Sequence, residues 1–289
     1  MTFQRILLTG CSSGFGHDAA LRLARRGHTV LASMRHTTTT NAAVADALRA
    51  TATSEGLALA VIDLDLSDPQ SITHAVSAVL ATGPLDVVVN NAGLGGFGWS
   101  EAFDDAQIRS MFDVNFFGVL TLNRAVLPAM RARGSGLLLH VTSILAHLPA
   151  RFMSGYNATK AALESYAESL HLEVAPLGVQ SLIVQPGFFA TDFGQNMFFP
   201  GDRARLVTYG EAASAPELML EGFGALLSQM PPVSALTDAM VRLIELAPAD
   251  RPLRTLVSGE PHGALVARIN EVQAAATREL QLAMAPPAP

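Results

Sequence analysis

The composition of this 289-residue chain excludes several classes of protein, since 49% of its residues are hydrophobic, 15% are charged and the formal net charge is −6. That balance supplies a large apolar core, and the absence of any cluster of Lys and Arg argues against a nucleic-acid partner. Cys11 is the only cysteine, so neither an intrachain disulfide nor a cysteine metal site is expected, and the eight histidines show no metal-ligand spacing.

Short aliphatic runs alternate with longer helical stretches along the chain. The predicted strands are Arg5–Thr9, Thr29–Ser33, Leu57–Asp63, Asp86–Asn90, Leu137–Thr142, Val179–Val184 and Arg254–Ser258. The predicted helices are Gly14–Arg26, Asn41–Glu55, Pro69–Thr82, Asp105–Arg133, Gly155–Ala175 and Pro231–Leu246. Most strands are continuously apolar, as is typical of a parallel sheet covered by helices on both faces. The sequence therefore predicts an α/β protein, with residues 1–289 forming a single doubly wound Rossmann domain around a seven-stranded parallel sheet.

The segment 188–232 breaks this alternation and is predicted to be an insertion after the sixth strand. Its bulky apolar side chains suit a lid that closes over a hydrophobic alcohol or ketone. An oligomer interface or a satellite core would use the same side chains, and that alternative stays open. Residues 284–289, rich in Pro and Ala, are expected to form a flexible tail.

The start of the chain and its apolar runs bear on location. A predicted strand begins within a few residues of Met1, which leaves no room for a signal peptide. No apolar run approaches the roughly 18 residues of a membrane span. We therefore expect a cytoplasmic protein without a membrane span.

A glycine-rich turn follows the first strand directly and opens the first helix. Glycines permit a tight turn there and let backbone amides approach a pyrophosphate at the helix N-terminus, where the dipole favours an anion. The spacing is Gly-x-x-x-Gly-x-Gly, and a plain tight turn is the alternative interpretation. The residues expected to contact a dinucleotide here are Gly10, Ser12, Ser13, Gly14, Phe15 and Gly16.

The end of the second strand indicates which dinucleotide is bound. An NAD site usually places an acidic residue there, whereas an arginine accommodates the 2′-phosphate of NADP. Arg35 occupies this place and no acidic residue follows before Asp46. Arg35 can form charge-assisted bonds to a phosphate, and Ser13 can add another. NADP(H) is therefore favoured over NAD(H), which stays possible, although Arg35 could equally be an ordinary surface arginine.

Lys160 is the only lysine among the nineteen Lys and Arg residues, and it lies four residues after Tyr156. Residues four apart share a helix face, so the ammonium and the phenol can converge. A neighbouring ammonium favours the phenolate and would lower the tyrosine pKa from about 10 toward the working range of a proton-transfer group. Ser143, after the fifth strand, can orient and polarise a carbonyl oxygen.

Five motifs together resemble the short-chain dehydrogenase/reductase family in their order and spacing, including thirteen residues from Ser143 to Tyr156. They are Thr9-Gly-x-x-x-Gly14-x-Gly16, Asn90-Asn91-Ala92-Gly93, Asn115, Ser143 and Tyr156-x-x-x-Lys160. The resemblance runs from about residue 4 to 191. In loop sequence the chain is most similar to the NADP-preferring hydroxysteroid and retinol dehydrogenase branch.

This resemblance implies an oxidoreductase that transfers a hydride between NADP(H) and the carbonyl or secondary alcohol carbon of a hydrophobic small molecule. It implies that Lys160 bonds the nicotinamide ribose and that Asn115 holds a water linking Lys160 to solvent. The further cofactor contacts that it implies are Asp65, Leu66, Asn91, Ala92, Gly93, Pro186, Gly187, Phe189 and Thr191. The expected substrate contacts are Leu94, Phe97, His147, Phe188, Phe193 and Met197. A homodimer or homotetramer is expected.

Other interpretations of these residues remain. Ser143 could be an ordinary strand-end serine, Asn115 a buried helix-bending amide and His147 a structural residue. For the whole chain, a non-catalytic NADP-binding redox sensor and an NAD-dependent dehydrogenase are the alternatives. A sensor has no need of Tyr156, Lys160 and Ser143 together, so their joint presence favours an enzyme.

Overall fold

The computed structural model describes residues 3–191, 193–224 and 230–284, and its centre is one seven-stranded sheet. The strands are β1 (Arg5–Thr9), β2 (Thr29–Met34), β3 (Leu59–Asp63), β4 (Val87–Asn90), β5 (Gly136–Val141), β6 (Val179–Pro186) and β7 (Arg254–Val257). All neighbours pair in parallel, in the order β3-β2-β1-β4-β5-β6-β7. The predicted doubly wound parallel sheet is confirmed.

Helices cover both faces of the sheet. Those in the described residues are α1 (Gly14–Arg25), α2 (Ala42–Glu55), α3 (Pro69–Ala81), α4 (Asp105–Phe112), α5 (Gly118–Arg133), α6 (Ser154–Val174), α7 (Arg203–Thr208), α8 (Ala215–Gly224), α9 (Val233–Glu245) and α10 (His262–Met284). Ile6 and Leu8 of β1 pack into a core with α1 and α9, and Leu7 between them packs into a second core with α3 and α5. Successive side chains of a strand point to opposite faces, so a continuously apolar strand fills two cores.

The chain order creates a crevice at the carboxyl ends of β1 and β4. In the sheet, β2 and β3 lie on one side of β1, and β4, which follows them in the sequence, pairs with the other side of β1. The helices that follow β1 and β4 therefore leave toward opposite faces, and a gap opens where they part. Loops that carry predicted site residues meet at this gap.

The helix predicted over Asp105–Arg133 is interrupted in the structure. A capping box between Asp104 and Gln107 starts α4, but residues 113–117 form a π-helical turn before α5 begins. A side chain at Gly118 would place its Cβ 2.3 Å from the carbonyl oxygen of Leu66, so close packing on the segment after β3 accompanies the turn. Such π-turns occur frequently at functional sites, and this one carries Asn115.

Three helices were not predicted individually. Two of them, α7 and α8, lie in the insertion after β6, which is joined to the loop after β4 by a parallel bridge between Gly96 and Phe198. The third is α10, in which only Gly263 and Val266 are buried.

Some predictions fall outside these observations. Residues 285–289, in which most of the expected flexible tail lies, are outside the described residues, as are residues 192 and 225–229 of the insertion. Within the described ranges, no helix combines the length and the apolar character that a membrane crossing requires. The homo-oligomer and the cytoplasmic location stay predictions.

Candidate active site

A cleft of about 1000 Å³ lies at the carboxyl ends of the central strands. The phosphate loop and the end of β2 line one end of it, residues 91–94 line the middle, and Ser143, Tyr156 and Lys160 line the other end beside the insertion. Its volume is at the upper limit of the roughly 300–1,000 Å³ usual for small-molecule sites. It is therefore large enough to take an extended cofactor and a second molecule.

The phosphate loop has a backbone that requires glycine. Gly10 has φ +75° and Gly14 has φ +54°, and a Cβ at Gly10 would lie 2.7 Å from the Cα of Ala92. Ser13 precedes α1 in an extended conformation and makes no side-chain capping bond. The first amides of α1 therefore face the cleft without a side-chain cap, an arrangement that suits a pyrophosphate.

Gly16 has a different role from the predicted one. It does not line the cleft, and a Cβ there would lie 2.1 Å from the carbonyl oxygen of Gly10. Its contribution is the close packing of α1 on the loop, while Gly10, Ser12, Ser13, Gly14 and Phe15 do line the cleft.

The middle of the cleft is held by hydrogen bonds between β1 and the segment after β4. The Asn91 side-chain amide donates to the carbonyl oxygens of Thr9, at 2.8 Å, and of Gly10, at 3.3 Å. The Thr9 hydroxyl accepts from the backbone amides of Asn91, at 3.0 Å, and of Ala92, at 3.1 Å. Asn91 lines the cleft as predicted, but its amide is occupied in fixing the phosphate loop.

The predicted 2′-phosphate site lies at the end of β2. Arg35 is exposed and lines the cleft, and its carbonyl oxygen accepts a 2.7 Å hydrogen bond from Asn41 Nδ2. That bond fixes the turn after β2, in which His36 has φ +55°. Within the described ranges nothing engages the Arg35 guanidinium. The N–H groups of this guanidinium are thus available to bind a phosphate. Asp65 and Leu66 line the same end, as predicted.

The structure brings Ser143, Tyr156 and Lys160 together. Tyr156 and Lys160 lie in the first turns of α6, and both are buried. Lys160 Nζ lies 5.7 Å from the centre of the Tyr156 ring and donates to the carbonyl oxygen of Val141 at 2.9 Å. The Ser143 hydroxyl accepts from the amide of Leu145 at 3.1 Å and is hydrogen-bonded to the Tyr156 phenol. The three polar groups therefore lie together at one end of the cleft.

The predicted effect of Lys160 on the tyrosine is wrong for this arrangement. Burial raises the pKa of Tyr156 above its ordinary value, and the hydrogen bond with Ser143 opposes this only in part. Burial also lowers the pKa of Lys160 to about 8. Desolvation is the largest cause of both shifts, because each group is almost fully removed from water. The phenol is therefore held protonated, as a proton donor.

The buried lysine makes the stability of the fold depend on pH. The pKa of Lys160 is about 8 in the folded chain against the ordinary 10.5, so below about pH 8 both states are protonated and the burial penalty is fully present. The penalty disappears as the pH rises toward 10.5, because only the unfolded chain then holds the proton. Between about pH 7.5 and about pH 9.5, the free energy of unfolding should rise by roughly 2 kcal/mol relative to that of Lys160→Met. Urea denaturation at both pH values tests this, and a constant difference between the two proteins would contradict it.

Asn115 connects two parts of the site without lining the cleft. Its Oδ1 accepts from the amide of Leu94 at 2.7 Å, and its Nδ2 donates to the Leu94 carbonyl, at 2.8 Å, and to the Thr159 hydroxyl, at 2.9 Å. The side chain thus ties the loop after β4 to α6, beside Lys160. The water that Asn115 was predicted to hold beside Lys160 stays a prediction. The contacts of Asn115 match the alternative interpretation, in which it is a buried amide in a bent helix.

The end of the cleft beside Tyr156 is apolar. It is lined by the predicted substrate contacts Leu94, Phe97, Phe188, Phe193 and Met197, and the Phe193 ring centre lies 5.4 Å from that of Tyr156. The insertion also contributes Phe198, Met219 and Leu220, which sequence reasoning did not single out as contacts, although the insertion was recognised as apolar. Pro186, Gly187, Phe189 and Thr191 line the boundary with the dinucleotide end. Among the described lining residues at the apolar end, Lys160 is the only charged side chain.

His147, predicted as a substrate contact, is not among the residues that line the cleft. Its Nε2 lies 2.8 Å from Glu164 Oε1, one helical turn beyond Lys160 on the same buried face of α6. The imidazole turns toward this buried carboxylate, which is a stronger partner than an apolar cavity offers. These contacts favour the alternative in which His147 has a structural role.

Comparisons with known proteins agree with this geometry. The family model for short chain dehydrogenases matches residues 4–199. Over 195 residues the chain is 34% identical to a 3-ketodihydrosphingosine reductase of Bacteroides thetaiotaomicron, covering 67% of this chain and 66% of that protein. Over 196 residues it is 35% identical to human retinol dehydrogenase 8, covering 66% of this chain and 60% of that protein. The match thus spans slightly less than two thirds of each of these relatives.

Solved structures are similar over nearly the whole chain. A short-chain dehydrogenase from Streptomyces avermitilis has a TM-score of 0.76 and 30% identity, with 97% of each chain covered. A short-chain dehydrogenase from Sphingobium yanoikuyae, solved with NADPH, has a TM-score of 0.72 and 26% identity, with 99% of this chain and 98% of that chain covered. The similarity therefore includes α10, which lies beyond the span of the family model.

Proposed function

Because the chain belongs to the short-chain dehydrogenase family, we propose that it is an oxidoreductase that transfers a hydride between NADP(H) and the carbonyl or secondary alcohol carbon of a hydrophobic small molecule. The observation that carries this proposal is the convergence of Ser143, Tyr156 and Lys160 at the apolar end of a cleft that begins at a phosphate loop. Relatives named for retinol and 3-ketodihydrosphingosine support an alcohol or ketone substrate.

The proposed cofactor fits the residues present. The glycine backbone at 10 and 14 and the uncapped start of α1 suit a pyrophosphate, and the available guanidinium of Arg35 suits a 2′-phosphate. When bound, NADPH supplies the hydride that reduces a carbonyl carbon. Pro186, Gly187 and Thr191 would hold the nicotinamide end against the substrate.

The side chains of this protein complete the reaction with a proton. Ser143 is placed to donate a hydrogen bond to the carbonyl oxygen and so to polarise the bond. Tyr156, whose pKa burial holds above its ordinary value, donates its proton to the same oxygen as negative charge develops there. A hydride on carbon and a proton on oxygen turn the ketone into the alcohol, and oxidation follows the reverse course.

Arg35 is the residue on which the cofactor preference depends. In Arg35→Asp the carboxylate would repel a 2′-phosphate and accept hydrogen bonds from the ribose hydroxyls of NAD, so the preference should shift toward NAD. We expect NADPH affinity to fall at least about tenfold, a loss typical of one charge-assisted pair. Fluorescence titration with NADPH and NADH measures this. Unchanged NADPH affinity would remove Arg35 from the cofactor site.

One experiment tests the proposed function directly. NADPH absorbance would be followed in the presence of steroids, retinoids, aromatic ketones and aliphatic ketones. The apolar lining predicts turnover with the larger hydrophobic ketones and little with short polar ones. A protein that binds NADPH tightly but oxidises it with no member of the panel would contradict the proposal and favour a redox sensor.

A further inference from the structure

The buried face of α6 carries four ionisable side chains at intervals of four residues: Tyr156, Lys160, Glu164 and Glu168. Their residues are 7%, 3%, 2% and 8% exposed, respectively. The proposed reaction accounts for the first two and assigns nothing to the carboxylates. A buried carboxylate is costly unless several donors satisfy it, so the partners of Glu164 and Glu168 indicate what they do.

Glu164 is bound by three donors from three different segments. Its Oε1 lies 2.8 Å from His147 Nε2, accepts from Gln185 Nε2 at 2.6 Å, and accepts from Arg254 Nε at 3.2 Å. Gln185 is fully buried, and His147 is partly buried. One oxygen atom therefore joins the segment after β5, the end of β6 and the start of β7 to α6.

Two of these segments and α6 itself carry residues of the candidate active site. His147 follows Ser143 by four residues across a single 3₁₀ turn. Gln185 directly precedes Pro186 and Gly187, which line the cleft where the nicotinamide is proposed. Glu164 itself lies one helical turn after Lys160. This carboxylate therefore ties the segment after Ser143 and the segment before Pro186 to the helix that carries Lys160.

The same contacts hold the carboxylate away from Lys160. A lysine and a glutamate four residues apart on a helix ordinarily attract each other. Here Lys160 Nζ donates to the carbonyl oxygen of Val141, on the cleft side, and the Glu164 carboxylate is held by Arg254, His147 and Gln185. Without those partners, Glu164 would compete for the ammonium.

Glu168, one turn further on, has different neighbours. Its Oε2 accepts from Arg254 Nη2 at 2.6 Å and from Gln273 Nε2 at 2.7 Å, and its Oε1 accepts from the Thr277 hydroxyl at 3.3 Å. Gln273 and Thr277 belong to α10, so Glu168 docks this helix on α6. It shares Arg254 with Glu164 but contacts neither the segment after Ser143 nor the end of β6.

We propose that Glu164 is a positioning residue for the reaction, because it sets the relative placement of Ser143, Lys160 and the Pro186–Gly187 segment. The proposal rests on the proposed function as far as turnover is concerned. The cofactor-binding readout below is independent of any substrate. Glu168 provides the matched control, since it is also a buried carboxylate that shares Arg254 and lies on the same helix face.

The test compares Glu164→Met with Glu168→Met, which remove the two carboxylates at constant length and leave the helix propensity nearly unchanged. Both should lower the melting temperature, because both leave the Arg254 guanidinium short of a buried partner. In Glu164→Met, NADPH affinity by fluorescence titration should fall about tenfold, and turnover with the best ketone of the panel should fall at least about tenfold, the scale of a displaced site. In Glu168→Met both should stay within about twofold of the wild type.

A conservative variant, Glu164→Gln, should keep the cofactor affinity and the turnover that Glu164→Met loses. Glu164→Gln keeps an acceptor oxygen for the three donors and places its amide at Oε2, to which no described group donates. Its NADPH affinity and turnover should stay within about threefold of the wild type. Equal NADPH affinity and equal turnover in the two methionine variants would overturn the positioning role of Glu164.

A second substitution keeps the proposal testable should Glu164→Met not fold. His147→Phe removes one of the three donors at a side chain that is 14% exposed. It should lower turnover about tenfold through Ser143 and leave NADPH affinity unchanged, and unchanged turnover would overturn the proposal. A wild type that binds NADPH but turns over no ketone would contradict the proposed function alone, because the NADPH affinities of the methionine variants would still decide the role of Glu164.

Discussion

Tyr156→Phe should lose at least about a hundredfold in turnover while NADPH affinity stays within about twofold of the wild type. The phenyl ring keeps the packing against Phe193, whose ring centre lies 5.4 Å away, but it has no proton to give and no hydrogen bond with Ser143. The size of the loss is the usual contribution of a general acid. NADPH oxidation with the best ketone of the panel measures turnover, and fluorescence titration measures cofactor affinity.

Tyr166→Phe is the matched control for this substitution. Tyr166 lies on the same helix, and its phenol accepts a hydrogen bond from Asn123 at 3.4 Å, outside the cleft. Removal of this hydroxyl should leave turnover within about twofold of the wild type, because it touches no group of the proposed reaction. Wild-type turnover in Tyr156→Phe would rule out the tyrosine as the proton donor.

Lys160→Arg should be nearly inactive although it preserves the charge. The lysine is 3% exposed, and its Nζ donates to the carbonyl oxygen of Val141 at 2.9 Å. The backbone of Gly93 lies beside this atom, since a Cβ added there would be in van der Waals contact with Nζ at 3.5 Å. The guanidinium is wider and planar and cannot place a donor at the same point without displacing the loop after β4. We expect turnover to fall about a hundredfold or more, the cost of a misplaced site.

Lys160→Met separates the loss of charge from the loss of fit. It removes the donor without adding width, so the fold should be retained, as circular dichroism and the melting temperature would show, while turnover falls as far as in the arginine variant. An active Lys160→Arg would contradict the argument. The single lysine would then be a residue that happened to survive in an arginine-rich chain.

Several parts of the site are predictable because their residues lie close together in sequence. Gly10, Gly14 and Gly16 follow a strand and open a helix, which is a local pattern with a direct backbone reason. Tyr156 and Lys160 share a helix face for any helix that contains them. These predictions need no knowledge of distant contacts, and the structure brings all but Gly16 to the cleft.

Other features depend on distant parts of the chain and were missed or misjudged. The π-turn that carries Asn115 accompanies the packing of Gly118 on Leu66, about fifty residues earlier in the sequence. His147 was expected at the substrate because it follows Ser143 closely, but it does not line the cleft, and its Nε2 lies 2.8 Å from Glu164 Oε1. The predicted direction of the Tyr156 pKa shift was wrong for a similar reason, because the degree of burial cannot be read from the spacing of two residues.

The sequence alone determined the seven strands and the helices between most of them, the phosphate loop, the family resemblance and the groups available for chemistry. These follow from backbone propensity and from spacing within single segments. The tertiary structure decided the surroundings of those groups: the burial that holds Lys160 at a pKa of about 8, the turn of His147 away from the cleft, and the carboxylate of Glu164 that joins three segments. Desolvation and hydrogen bonding between distant segments act only once the chain has folded, so no local pattern could have revealed them.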